Sequence, residues 1–200
     1  MHEEDLPLIH DQLLTVHDLI TIRVGEPVFS PLINDFEPSR TELIKLTGRG
    51  DSWTCHFFDQ AKNLCGIYDH RPLECRLLKC WAPTELTNVI YQHCLSRKDV
   101  VPADDELWEL IGIQEEHCDF TKIAALTSEL VEVSDQTVLT EIARIVTLDL
   151  RVRQRAIQIR HLSVGEELLY FGRPLFKSLA FYHLAIQEGP QGLTAHRLKA

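Results

Sequence analysis

Four cysteines crowd one short stretch, WTCHFFDQAKNLCGIYDHRPLECRLLKCW from Trp53 to Trp81. Cys55, Cys65, Cys75 and Cys80 are separated by nine, nine and four residues and sit among aromatics. Nothing else in the chain constrains the fold as tightly. Four thiolates are the ligand count of a tetrahedral zinc site or of an iron–sulfur cluster. The opening MHEEDLPLIHDQLL is acidic and lacks the basic-then-apolar pattern of a signal peptide. No stretch approaches the roughly eighteen uninterrupted apolar residues of a membrane span. The expected location is cytoplasmic, away from membranes, where thiols stay reduced and metal ligation outranks disulfide formation.

The spacing carries geometric demands. Trp53–Phe58 and Leu64–Tyr68 are short aromatic and apolar runs joined by the polar DQAKN, which is a hairpin signal. If Phe58 pairs with Leu64, Phe57 faces Cys65 and Cys55 faces Ile67. The two cysteines are then diagonal neighbours, roughly 7–8 Å apart at the backbone. Zinc wants its sulfurs closer than that, whereas a cluster of several irons accepts wider spacing. A register slip of one residue would undo this geometry. Pro72 suits the first turn of a short helix through Leu78, and Cys75 lies in that turn near Arg71 and Arg76, where free N–H groups favour a thiolate. Cys80 would be about 140° around an ideal helix from Cys75, so both can face one metal only if the helix unwinds before Pro83. Structural zinc sites usually combine two closely spaced ligand pairs, and only Cys75/Cys80 forms one here.

The rest of the chain reads as scaffold. Ile9, Leu13, Val16, His17 and Ile20 predict a helix from Asp5 to Ile22, closed by Gly25 and Pro27. Residues 26–52 read as irregular chain strapped over the cysteines. Beyond Thr84 the pattern turns helical, with an acidic first turn at Asp104–Glu106, a helix over about 121–133, and a long helix starting at Ser134 or Asp135. The long helix carries Val138, Ile142, Ile145, Val152, Ala156 and Ile159 on one stripe. Leu175, Leu179, Tyr182 and Ile186 continue at helical spacing, and the end from Gly189 reads as frayed. The predicted fold is mostly α, a helical domain with a small β-hairpin and loop region for the cysteines. Residues 1–100 would form the metal-binding region and 101–200 a helical region packed with it as one domain.

Other features weigh less. Cys118 reads as a buried small hydrophobe, and Cys94, preceded by His93, is open between packing residue and reserve ligand. His56 should point away from Cys55 as a surface or packing residue, and His10 and His17 read as boundary residues of the core. Arg151, Arg153, Arg155 and Arg160 could touch phosphate, but such a run is more often a solvated face paired with neighbouring acids. The net charge of −10, with ten basic and fifteen acidic residues in each half, argues against nucleic acid as a partner. Phosphate-loop, dinucleotide, zincin and nucleophile-elbow motifs are all missing.

At the cysteines the sequence resembles a known family. Cys55-His-Phe-Phe-Asp, Cys65-Gly-Ile-Tyr, then Arg71-Pro-Leu-Glu-Cys75-Arg and Cys80 are similar to the YkgJ-type cysteine-cluster family of zinc- or iron-chelating domains. The core Ile67-Tyr-x-x-Arg71-Pro-x-x-Cys75-Arg76 carries the likeness. The family has an earlier C-x-x-C…C-C group, whereas this chain has no cysteine before Cys55, so either a single four-cysteine site remains or binding has been lost, one centre at most. The resemblance implies metal binding, with iron–sulfur chemistry suggested for relatives that include flagellin lysine methylases.

The expected function is a metal-binding protein with one four-cysteine centre, most simply an iron–sulfur cluster in an accessory or electron-transfer module. Its protein partner would dock on the helical half, around Leu168–Phe181. A structural zinc staple and a cluster-dependent enzyme are the alternatives. A pocket with polar groups beside the cysteines would mark the enzyme, and sealed sulfurs would mark the staple.

Overall fold

A computed structural model describes residues 1–50, 53–79, 81–132 and 136–198. The architecture is helix-rich but mixed, 48% helical and 20% strand, rather than mostly α. The difference arises at both ends of the chain.

The N-terminal helix α1 covers only Leu6–His10. Gln12 turns the backbone over with a positive φ of 58°, and Leu19–Ile22 is strand β1. Leu-Ile-Thr-Ile is a β-branched run buried along its whole length, which a two-sided strand satisfies better than an amphipathic helix. Strands β2 (Pro27–Ser30), β3 (Asp35–Pro38), β4 (Leu43–Leu46), β5 (Gly48–Arg49), β6 (Thr54–Cys55), β7 (Phe58–Asp59) and β8 (Leu64–Cys65) follow. All pair two by two and antiparallel: β1 with β4, β2 with β3, β5 with β6, and β7 with β8. The strap expected over residues 26–52 is thus largely strand.

Helices then take over: α2 (Leu73–Leu77), α3 (Thr84–Val89), α4 (Arg97–Val100), α5 (Trp108–His117), α6 (Phe120–Glu132), α7 (Gln136–Arg160), α8 (Val164–Phe171) and α9 (Leu175–Ser178). The start expected for the long helix at Ser134 or Asp135 lies outside the described residues. The C-terminal helical tail forms only as far as Tyr182, and Ile186 lies on a strand instead. His183, with φ 54°, stops a 3-10 turn over Leu179–Tyr182. A hairpin of β9 (Leu184–Gly189) and β10 (Gly192–Arg197) replaces the frayed end. Gly189-Pro190-Gln191-Gly192 is its turn, and Gly192 supplies the φ of 111°. Among the described residues, no helix is long and apolar enough to cross a membrane.

The core has two parts joined by α7. Val152 and Ala156 pack with Leu19, Ile44, Leu107 and Phe171, while Val138, Ile142 and Ile145 pack with Ile123, Leu175 and Leu184. Ile159, expected on the same stripe, is 37% exposed. Leu169, Phe171, Leu175 and Leu179 are committed to this core, so Phe176 and Phe181 are the exposed aromatics of Leu168–Phe181.

Buried arginines tie the halves together. Arg97 holds Glu42, Glu115 (2.7 Å) and the Tyr170 carbonyl (2.8 Å), and Arg23 reaches the same Glu115 oxygen at 3.0 Å. Burial alone would raise the pKa of Glu115, but Arg23 and Arg97 outweigh it and hold the carboxyl below its ordinary value. A carboxylate depressed by folding stabilises the fold fully above its unfolded pKa, about 4.3. That contribution is lost as the pH falls through the folded value. Glu115→Gln should therefore lower the urea midpoint at pH 7 and flatten its decline below about pH 4.5, which a pH series of urea melts reads directly.

Of the arginine run on α7, Arg153 is buried and Arg160 pairs with Asp105 at 2.7 Å. These two are pairing residues; Arg151 and Arg155 are exposed.

Candidate metal centre

Each cysteine of the quartet that the structure describes comes from a different element. Cys55 lies on β6, opposite Gly48 of β5. The turn between them uses positive φ at Gly50 (62°) and Trp53 (49°). A Cβ at position 48 would fall 2.6 Å from the Trp53 carbonyl oxygen, so only glycine lets the strands close. Cys65 lies on β8 opposite Phe58, with Leu64 opposite Asp59. The Asp59 Oδ1 accepts from the N–H groups of Ala61 (3.0 Å) and Lys62 (3.1 Å), which fixes this turn.

The expected pairing of Phe58 with Leu64 is thus wrong by one residue, and Cys55 and Cys65 do not share a hairpin. The diagonal-pair geometry falls with it. The physical reason is the side-chain bonding of Asp59, which draws Asp59 itself into the last pair before the turn.

Cys75 sits in α2. Pro72 opens that helix without a side-chain cap, and the Leu73 N–H donates instead to Oδ1 of Asp5 at 2.8 Å. Asp5 is 1% exposed, and its other oxygen accepts from the His2 N–H at 2.9 Å. His2 Nε2 lies 3.0 Å from Glu74, and Arg76 pairs with Glu4. A short N-terminal segment therefore clamps the helix of Cys75 by three polar links. Sequence reading missed this clamp; the acidic run Glu3-Glu4-Asp5 ahead of an uncapped Pro-led helix was the available signal. Leu78 has already left helical geometry (φ −70°, ψ 97°), so the unwinding required before Pro83 is present. Cys80 itself lies outside the described residues.

Cys55 is exposed, and Cys65 and Cys75 are half-buried. Burial pushes the Cys75 thiol above its ordinary pKa, and Cys55, Glu74, Cys65 and Asp5 push it the same way. Both other thiols thus lie within electrostatic reach of Cys75. Among the described residues, no three His, Cys, Asp or Glu side chains close up into a ready single-ion site. As a donor set, thiols fit zinc or iron, and a bound cation would reverse the upward pKa pressure.

Residues 25–119 match the CxxCxxCC family. Its description is "Putative zinc- or iron-chelating domain", the same kind of family to which the core motif pointed. No curated protein and no solved structure matches the chain. The CxxCxxCC match is wider than the motif, running from Gly25, ahead of β2, to Asp119, just past α5. It supports metal chelation by this segment, and its description covers zinc and iron alike.

The other cysteines and histidines weighed from the sequence sort clearly. Cys118 is fully buried, donates to the Ile145 carbonyl at 3.6 Å, and has its thiol pushed up to about 12, chiefly by burial. It is the packing residue the sequence suggested. Cys94 lines a pocket of about 290 Å³ that shares Phe29, Lys45 and Glu74 with the cavity beside Cys75, and it contacts the Gln92 carbonyl. His56 lies 3.4 Å from Asp18 and packs edge-on to Phe57, as a packing residue. His10 and His17 are exposed, and His17 meets the Ser163 hydroxyl at 3.1 Å.

A cavity of about 470 Å³ opens beside Cys55 and Cys75. Ile20 and Ile22 lie in its floor, and Phe29, Phe36, Phe181 and Trp53 contribute aromatic walls. Lys45, Glu74 and Arg173 supply the charged groups. Arg173 is held at 2.5 Å by Glu26, whose carboxyl burial raises despite that cation. Ile20 was expected on a helix stripe and Phe181 at the end of a partner patch, but the cavity itself was not foreseen, because its walls come from separate stretches that only the fold unites.

Proposed function

We propose that Cys55, Cys65, Cys75 and Cys80 hold one metal centre, an iron–sulfur cluster, in an accessory or electron-transfer module. The observation that carries this reading is that Cys55 of β6 and Cys75 of α2 line one cavity, within the segment that matches a zinc- or iron-chelating family and also carries Cys65 and Cys80. A cluster of several irons spreads its thiolate ligands more widely than a single zinc does, which suits ligands drawn from separate elements. Bound there, a cluster would supply one-electron transfer. The chain's own part is positional: Asp5 and His2 fix α2, and Gly48 lets β6 close. A protein partner on the helical half would meet Phe176 and Phe181.

The cavity beside Cys55 and Cys75 favours a second reading, a cluster-dependent enzyme, over a sealed zinc staple. Cysteine replacements test the ligand assignment. Cys55→Ser, Cys65→Ser, Cys75→Ser and Cys80→Ser should each strip most of the bound metal, measured by elemental analysis, while Cys94→Ser keeps it. Wild-type metal content in the quartet variants would contradict the assignment.

A further inference from the structure

The cavity beside the cysteines has a chemical preference of its own. Phe29 and Phe36 meet edge to face with ring centres 5.7 Å apart, and Phe36 meets Phe181 at 4.8 Å. Yet Phe29 and Phe36 remain 53% exposed and Phe181 40%, so these rings present unused apolar surface. Most large aromatic surface in a folded chain is covered, and a cavity of 470 Å³ walled this way lies in the size range of small-molecule sites.

The charged groups around it are not equally available. Arg173 is committed to the fully buried Glu26 and lies over the Trp53 ring at 5.5 Å, taking the place a ligand cation would use there. Glu74 contacts His2 at 3.0 Å, and against the upward push of burial the Met1 ammonium and Lys45 hold its carboxyl below the ordinary value. Lys45 is different: it is exposed, it lines the cavity, and no carboxylate among the described residues lies within salt-bridge distance of it. It stands on β4 opposite Ile20, which lies in the cavity floor. The Met1 ammonium donates to the Ile44 carbonyl, so among the described residues Lys45 is the lining side-chain cation without a contact ion pair, set beside an aromatic wall.

We propose that this cavity binds a small aromatic carboxylate, with the ring against Phe29, Phe36 and Phe181 and the carboxylate on Lys45. Lys45 and the phenylalanines are not candidate metal ligands, so the inference stands whichever metal the thiols hold.

Calorimetric titration of the purified, metal-bearing protein with 2-naphthoate, 2-naphthalenemethanol and 2-naphthylmethylamine tests it, since the three probes share a ring system and differ in charge. The carboxylate should bind about tenfold more tightly than the alcohol, the value of one charge-assisted contact. The amine should bind most weakly. Lys45→Met should erase the difference between carboxylate and alcohol, and Lys45→Glu should turn the preference toward the amine. Phe36→Ala should weaken all three. Lys45 and Phe36 are exposed, so these variants are expected to keep the wild-type near-UV circular dichroism. Equal binding of the three probes, tightest binding of the amine, or a carboxylate preference that survives Lys45→Met would overturn the proposal. So would a folded wild-type protein that ignores naphthoate at millimolar concentration.

Discussion

Asp149→Ala is expected to lower the unfolding free energy by about 3–5 kcal/mol, the largest effect of any single replacement considered, because it strands a buried arginine. Asp149 is fully buried, and Arg153 is 2% exposed. Their ion pair, at 3.0 Å, is one strand of a network. Asp149 also accepts from the Gln114 amide at 2.6 Å and from the Leu175 N–H at 3.0 Å. Arg153 in turn donates to the carbonyls of Phe171, Gly172 and Arg173. Alanine leaves Arg153 with only the half-buried Glu167 as counter-charge, the Leu175 N–H without its acceptor, and the Gln114 amide with only the Phe171 carbonyl at 3.1 Å. Replacing both members, Asp149→Leu with Arg153→Met, should recover much of the loss, because a buried ion pair gives little net stability over apolar groups of similar volume. Urea melts of the single and double variants measure both values.

Asp5→Ala should cost about 2–4 kcal/mol and loosen the metal as well, because two N–H groups lose a shared acceptor. One of them, on Leu73, opens the helix that carries Cys75. The other, on His2, belongs to the segment that clamps Glu74. Asp5→Asn keeps one oxygen acceptor and should recover about half of the lost stability. A metal-release assay beside the melt separates this role from plain destabilisation: Asp149→Ala should lower stability more, yet Asp5→Ala should release metal faster at the same denaturant concentration.

The candidate ligands were legible because thiol density is a local property of sequence, and so was the end of α2, since Pro83 forbids its continuation. Element types failed where a short apolar run could serve two periods. Leu19–Ile22 fits the stripe of a helix as well as a buried strand, and only its pairing with Leu43–Leu46 decides. The Cys65 hairpin failed by one residue because Asp59 bonds the turn through its side chain, an energy that pattern matching does not weigh. The C-terminal hairpin was read as a frayed end because its strands are weakly patterned, although Gly-Pro-Gln-Gly is a turn sequence. The cavity was hidden altogether and the Asp5 cap was signalled only by an acidic run, both being built from residues far apart in the chain.

Purification under anaerobic conditions, followed by iron, acid-labile sulfide and zinc analysis with a visible absorption spectrum, tests the metal centre most directly. A coloured protein carrying iron and sulfide together, with colour lost in Cys75→Ser, is the expected result. A colourless protein holding zinc alone would contradict the cluster, and a folded, metal-free protein would contradict the centre itself.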